Sequence, residues 1–168
     1  MKKHFSDENF ITELENLIAA QIAFKAEIVA GDERENFTRT DAKSRKILNF
    51  GHTVAHALEK ITDYKYFKHG EAVGFGILCA GEIAKNIGIL NKDTLNLLND
   101  VVAMVGKLPT TDKIEVAKVI EAFEFDKKSS GKNLQWILLE EIGKPIIFDG
   151  NKISTQILEK SLKTVLNK

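Results

Sequence analysis

The sequence predicts a mainly α-helical fold, a helical bundle with one short β-hairpin near the C-terminus. Apolar residues recur at helical spacing through most of the chain, and only LQWILLEE and PIIFDG read as β-like pieces. Only two prolines interrupt 168 residues, and no repeat or low-complexity tract marks a boundary. With 43% hydrophobic and 29% charged residues, residues 1–168 read as one globular domain able to bury its own core.

In the first segment, residues 10–30, Ile11, Leu14, Ile18, Ile22 and Val29 fall on one helical stripe. Gly31 follows where a left-handed C-cap glycine is expected. Lys25 lies on that apolar stripe, where a lysine either snorkels to solvent or meets an anion in a cleft. The polar run GDERENFTRTDAK separates this helix from a second one, predicted from about Arg45 to Ile61 with Ser44 as its N-cap.

From Gly70 to Ile87, Gly70, Gly74, Gly76 and Gly81 stand among apolar residues. Each glycine weakens a free helix by about 1 kcal/mol relative to alanine, so their density implies close approach of neighbouring backbones. This segment is the expected centre of the bundle, and its apolar run, Ala72 to Gly81, is too short for the roughly 20 residues that cross a bilayer. Asp93 is expected to cap a helix ending near Gly106, and another runs from Asp112 to Phe123 before DKKSSGK breaks the pattern. Ile142, Gly143 and Lys144 separate the two hairpin strands, and STQILEKSLKTVLNK returns to helical spacing behind a Ser154 or Thr155 cap.

The charge balance excludes some functions. Twenty-four basic and 24 acidic side chains leave no net field to draw the chain to nucleic acid or an anionic membrane. Cys79, the one cysteine, sits in an apolar run and reads as a buried, inert thiol, in keeping with a reducing compartment. MKKHFSDENF has no apolar segment of the secretory kind, so a cytoplasmic location is expected. No phosphate-cradling glycine loop and no Ser/His/Asp or Cys/His arrangement is present.

Chemistry concentrates on KILNFGHTVAHALEK. On a wheel of about 100° per residue, Asn49, His52, His56 and Glu59 all fall within about 40° of Arg45, opposite Ile47, Phe50, Val54, Leu58 and Ile61. A solvated stripe is usually built from Lys, Glu and Gln, whereas Asn and His are mediocre helix formers that need another reason to occupy successive places. His52, His56 and His69 are three of the four histidines, and His69 opens the glycine-rich helix. Histidines at i and i+4 can share one ion, so spacing alone pairs His52 with His56.

KAEIVAGDERE, RKILNFGHTVAHALE, HGEAVGFGIL and FDKKSSGK together closely resemble the C-terminal domain of the 3-dehydroquinate synthase family, over roughly Ile11 to Gly150. The resemblance implies a phosphorus–oxygen lyase of the shikimate pathway of aromatic amino acid biosynthesis. It converts 3-deoxy-D-arabino-heptulosonate 7-phosphate to 3-dehydroquinate and phosphate, using NAD and a divalent metal, zinc or cobalt. By motif position it makes His52 and His69 metal ligands, replacing the pairing by spacing, and His56 a proton-transfer residue. It makes Lys25 and Arg45 the cations for the substrate carboxylate, with Arg39 as a fallback, and Asn49 a substrate hydrogen-bonding residue. It also makes Glu35 a carboxylate that assists proton movement and one of Lys127 and Lys128 a phosphate contact.

The pattern also departs from the family. The resemblance implies an NAD-binding α/β domain N-terminal to this one, carrying the third metal ligand, a glutamate, and neither is in this chain. The chain alone is therefore expected to hold metal weakly and to be inactive, its partners being that domain, the sugar phosphate and a second copy in the complete enzyme. NFTRTDAKS lengthens the link between DERE and Arg45, and Ala55 replaces the glycine of GHTxGH. Two other readings stand beside this one: a non-catalytic helical binding or assembly module derived from such a domain, and another sugar-phosphate cyclase.

Overall fold

The computed structural model describes residues 8–36, 38–130 and 134–167, leaving the side chains of residues 8–10 and 126–130 undescribed. The chain forms two compact units, Met1–Leu48 and Asn49–Lys168.

In the first unit, helix α1 spans Glu8–Gly31. Gly31 ends it without a left-handed conformation, contrary to the expected C-cap, since the positive-φ glycines are Gly51, Gly88 and Gly143. The turn beyond α1 is held by Asp32, whose side chain receives the backbone N–H of Asn36 at 2.8 Å, that of Arg45 at 2.9 Å and the Ser44 hydroxyl at 3.2 Å. Three donors on one carboxylate stabilise its charged form, and Asp32 titrates below its ordinary value for that reason, the Asn36 and Arg45 backbone bonds leading. Arg39 binds across the same loop, to Asp41 at 2.6 Å and the Gly31 carbonyl at 2.6 Å.

The second predicted helix breaks in two. Arg45–Asn49 is a 3-10 turn headed by Ser44, whose hydroxyl receives the Lys46 N–H at 3.4 Å, and α2 begins only at His52 and runs to Ile61. Between them Gly51 adopts φ +82°, a conformation that side-chain-bearing residues rarely take. Tertiary packing forces the break: a Cβ on Gly76 of α3 (His69–Asn86) would be driven into the Gly51 carbonyl oxygen, and one on Gly51 would lie 2.8 Å from the Ile77 nitrogen. Two glycines thus let the backbones of α2 and α3 touch. The continuous stripe from Arg45 to Glu59 is interrupted accordingly, and only its His52, His56 and Glu59 part lies on one helix.

As predicted, α3 is central to the second unit, packing against α2, α4 (Lys92–Val105), α6 (Thr155–Leu166) and strand β1 (Gln135–Glu141). Ala72, Phe75, Cys79, Ala80, Ile83 and Ala84 of α3 are buried, and Val54, Ala57 and Leu58 of α2, Trp136 and Leu138 of β1, and Leu162 and Leu166 of α6 complete the core. Cys79 is fully buried, and burial pushes its thiol up, so it stays protonated and inert.

Three predicted helix boundaries move. Asn91, not Asp93, caps α4, its side chain accepting the Thr94 N–H at 2.8 Å, while Asp93 occupies the first turn. Helix α5 starts at Val116 because residues 111–114 close a turn from the Ile114 N–H to the Thr111 carbonyl, and its backbone runs on to Ser130, through the expected break. Ser154 is the cap of α6, accepting the Ile157 N–H at 3.3 Å. The hairpin forms as expected: β1 pairs antiparallel with β2 (Lys144–Asp149), turning at Gly143, φ +81°. Among the described residues no helix is long and apolar enough to cross a membrane.

Candidate metal and substrate site

The first unit carries Lys25, Glu35 and Arg45. Lys25 lies on α1, exposed and with no acceptor on its ammonium among the described residues. Arg45 is held at both ends: its backbone N–H bonds to Asp32, and its guanidinium donates to the Glu33 carbonyl at 2.9 Å. Its Nε stands 4.0 Å from Glu35 Oε2, so this unit brings two of the three predicted residues together. Glu35 sits at φ +49°, in the left-handed region that aims its side chain back across the turn. Arg39, fully engaged by Asp41 and Gly31, is a structural clasp of the loop.

The second unit carries Asn49, His52, His56 and His69, with Asn49 exposed at the end of the 3-10 turn. His52 and His56 stand one turn apart on α2, and His69 is the first residue of α3, where the Lys68 N–H is capped by Glu71 Oε2 at 2.8 Å. The α2–α3 packing at Gly51 and Gly76 therefore gathers all three imidazoles. Ring centroids are 5.3 Å apart for His52 and His69, 5.6 Å for His52 and His56, and 6.5 Å for His56 and His69. The side chains of Lys127 and Lys128 lie outside the described residues.

Hydrogen bonding separates the three rings. His52 Nδ1 lies 3.3 Å from the Phe50 carbonyl and His69 Nδ1 lies 2.9 Å from Glu59 Oε1, contacts that suit a proton on Nδ1 and a lone pair on Nε2 of each ring. His56 makes only ring contacts among the described residues and is exposed. Burial pushes the His52 imidazole below its ordinary value of 6.5, with the neighbouring His56 and His69 acting in the same direction and the Phe50 carbonyl and Glu59 opposing. His52 is thus neutral at neutral pH, as a ligand must be.

A divalent metal fits this pair. Two imidazoles on one tetrahedral ion at about 2.0–2.1 Å have centroids roughly 5 Å apart, close to the His52–His69 separation of 5.3 Å. Among the described residues no group of three or more His, Cys, Asp or Glu side chains is disposed to hold an ion. A dinucleotide finds no cradle in the glycine-rich segment: Gly74 faces Leu108 and Gly76 faces the Gly51 backbone. The residue that sequence reasoning undervalued is Glu59, placed on a polar stripe but in fact buried against His69. Its spacing, three residues beyond His56, was visible; its burial was not.

Solved structures share this arrangement of elements. A 2-epi-5-epi-valiolone synthase from Streptomyces hygroscopicus subsp. jinggangensis 5008, with NAD+ and Zn2+ bound, superposes with TM-score 0.68 at 18% identity, over 96% of this chain and 41% of that one. A 2-deoxy-scyllo-inosose synthase complexed with carbaglucose-6-phosphate, NAD+ and Co2+ gives TM-score 0.61 at 20% identity, over 73% of this chain and 34% of that one. These likenesses show the fold, shared with one part of each of those two chains.

Sequence comparison is more specific. The chain belongs to the family described as 3-dehydroquinate synthase C-terminal, whose pattern matches residues 3–129. The 3-dehydroquinate synthase of Campylobacter jejuni strain RM1221 is 40% identical over 132 residues, 78% of this chain and 36% of that protein. That of Synechococcus sp. is 37% identical over 145 residues, 85% of this chain and 37% of that protein. The chain therefore spans about a third of the length of these relatives.

Proposed function

We propose that this chain is the metal- and substrate-binding part of a 3-dehydroquinate synthase, acting in the shikimate pathway on 3-deoxy-D-arabino-heptulosonate 7-phosphate to give 3-dehydroquinate and phosphate. The observation that carries the reading is the pair of imidazoles, His52 and His69, each with Nδ1 engaged and Nε2 free at a separation suited to one ion. Identity of 36–41% to curated dehydroquinate synthases supports that branch over the other cyclases, whose likeness at 18–22% identity concerns the fold. The ion, Zn2+ or Co2+, would be held by His52 and His69 and by a glutamate from the remainder of the enzyme. When bound, it supplies polarisation of the substrate's hydroxyls.

The chain's own residues bind charge and move protons. Lys25 and Arg45 neutralise the substrate carboxylate, and one of Lys127 and Lys128 meets the phosphate. Asn49 hydrogen-bonds the substrate. His56, with neither nitrogen fixed by a hydrogen bond among the described residues, carries a proton near the leaving phosphate, and Glu35 assists proton movement. NAD and the third ligand belong to an NAD-binding α/β domain, so this chain alone binds metal weakly and does not turn over substrate; the complete enzyme works in the cytoplasm as a homodimer.

Mixing this chain with the separately expressed NAD-binding half of the Campylobacter jejuni relative tests the proposal. Phosphate release and dehydroquinate formation are expected only when both halves and Zn2+ or Co2+ are present. A proven complex of the two halves with no turnover would sink it and leave a non-catalytic assembly module.

A further inference from the structure

Glu59 has no role in the reading above, yet it is the carboxylate nearest the imidazole cluster. Its side chain is 9% exposed, and Oε1 lies 2.9 Å from His69 Nδ1. A carboxylate oxygen at this distance is the acceptor that suits a proton on Nδ1, the arrangement that puts the His69 lone pair on Nε2. The two residues come from different helices, Glu59 from the last turns of α2 and His69 from the first residue of α3, so the bond also fixes the ring relative to α2 and hence to His52. The His69 side chain is 59% exposed and touches the rings of His52 and His56, and the bond to Glu59 is the polar contact that fixes its pose among the described residues.

The position of Glu59 is itself held. The Glu59 carbonyl accepts the Tyr64 N–H at 2.8 Å and the Thr62 N–H at 3.3 Å, closing the end of α2 under the carboxylate. His52 gains the equivalent restraint from a backbone carbonyl, Phe50, and His56 has none among the described residues. Among the described residues the cluster thus contains two rings with an acceptor at Nδ1 and one with ring contacts alone.

We propose that Glu59 is a positioning residue that locks His69 in the Nδ1–H tautomer and aims its Nε2 toward the ion shared with His52. The inference rests on the metal-ligand reading of His69. Outer hydrogen bonds of this kind raise ligand basicity and pre-set the ring, and their loss costs about 10–100-fold in metal affinity.

Nitrogen–proton correlation spectra of the imidazoles in the metal-free chain give a readout independent of activity. The wild type is expected to show His69 as the Nδ1–H tautomer and His56 as an exchanging mixture. Glu59→Leu should return His69 to a mixture and weaken Co2+ binding about 10-fold or more. Glu59→Gln, whose amide oxygen can accept the same proton, should keep the tautomer and recover part of the affinity. His69 found as Nε2–H in the wild type, or unchanged in a folded Glu59→Leu variant, overturns the proposal. If Glu59→Leu does not fold, the wild-type and Glu59→Gln spectra decide it. Co2+ titration of the wild type separates the two ideas: paramagnetic broadening that bypasses His69 removes the ligand reading, while the metal-free tautomer still decides what Glu59 does.

Discussion

Gly51 and Gly76 are small residues with a large effect, because the backbone contact between them sets the distance from His52 to His69. Alanine at 76 would meet a carbonyl oxygen that no rotamer can move, so Gly76→Ala is expected to lower the unfolding free energy by about 3 kcal/mol. A urea midpoint close to wild type would contradict that packing. His52 makes a pH prediction at the same scale. Its folded value is depressed below 6.5, so the unfolded chain binds more protons in the window just beneath that value. Stability therefore falls as pH drops through the window and is retained above it. Urea midpoints at about pH 7.5 and about pH 5.5 should diverge more for wild type than for His52→Asn. Asp32 acts lower on the scale: its depressed carboxyl contributes stability present above 3.8 and lost as pH falls through its folded value, a contribution absent in Asp32→Asn.

Among the elements, helix boundaries show which local signals prevailed. Ser154 was one of two candidate caps for α6, and the bond from the Ile157 N–H selects it. Ser154→Ala is expected to cost about 1 kcal/mol in chemical denaturation, and a loss near zero would show that the last helix holds by packing alone. For α4 the cap fell two residues before the one expected, since Asn91 has the extended backbone that a cap needs and Asp93 is already helical. The second helix was misread for a different reason. Its apolar and polar residues repeat at helical spacing from Arg45 to Ile61, and nothing in that periodicity reports that α3 must pass against Gly51. Helix type and centre were legible; the break was not, because it is imposed from another element.

For the whole molecule, α1 supplies the last prediction. Ile11, Ile18 and Ile22 are each at least half exposed and share one stripe of α1, which has no partner among the described residues of its own unit. The isolated chain is expected to self-associate, giving a light-scattering mass above 18.8 kDa that Ile18→Lys with Ile22→Lys returns to the monomer value. A clean monomer before substitution would argue that this face is not sticky in solution.

The sequence by itself determined the helical class, the C-terminal hairpin, the central glycine-rich helix and the density of histidines, because periodicity, turn residues and composition are local properties. Motif resemblance assigned the roles within that density. Only the tertiary structure decided that His52 Nδ1 meets the Phe50 carbonyl and His69 Nδ1 meets Glu59, that Glu59 is buried, and that the polar stripe stops at Gly51. Each of these depends on a contact between residues that no local pattern links, and it is backbone packing of α2 on α3 that brings them within bonding distance.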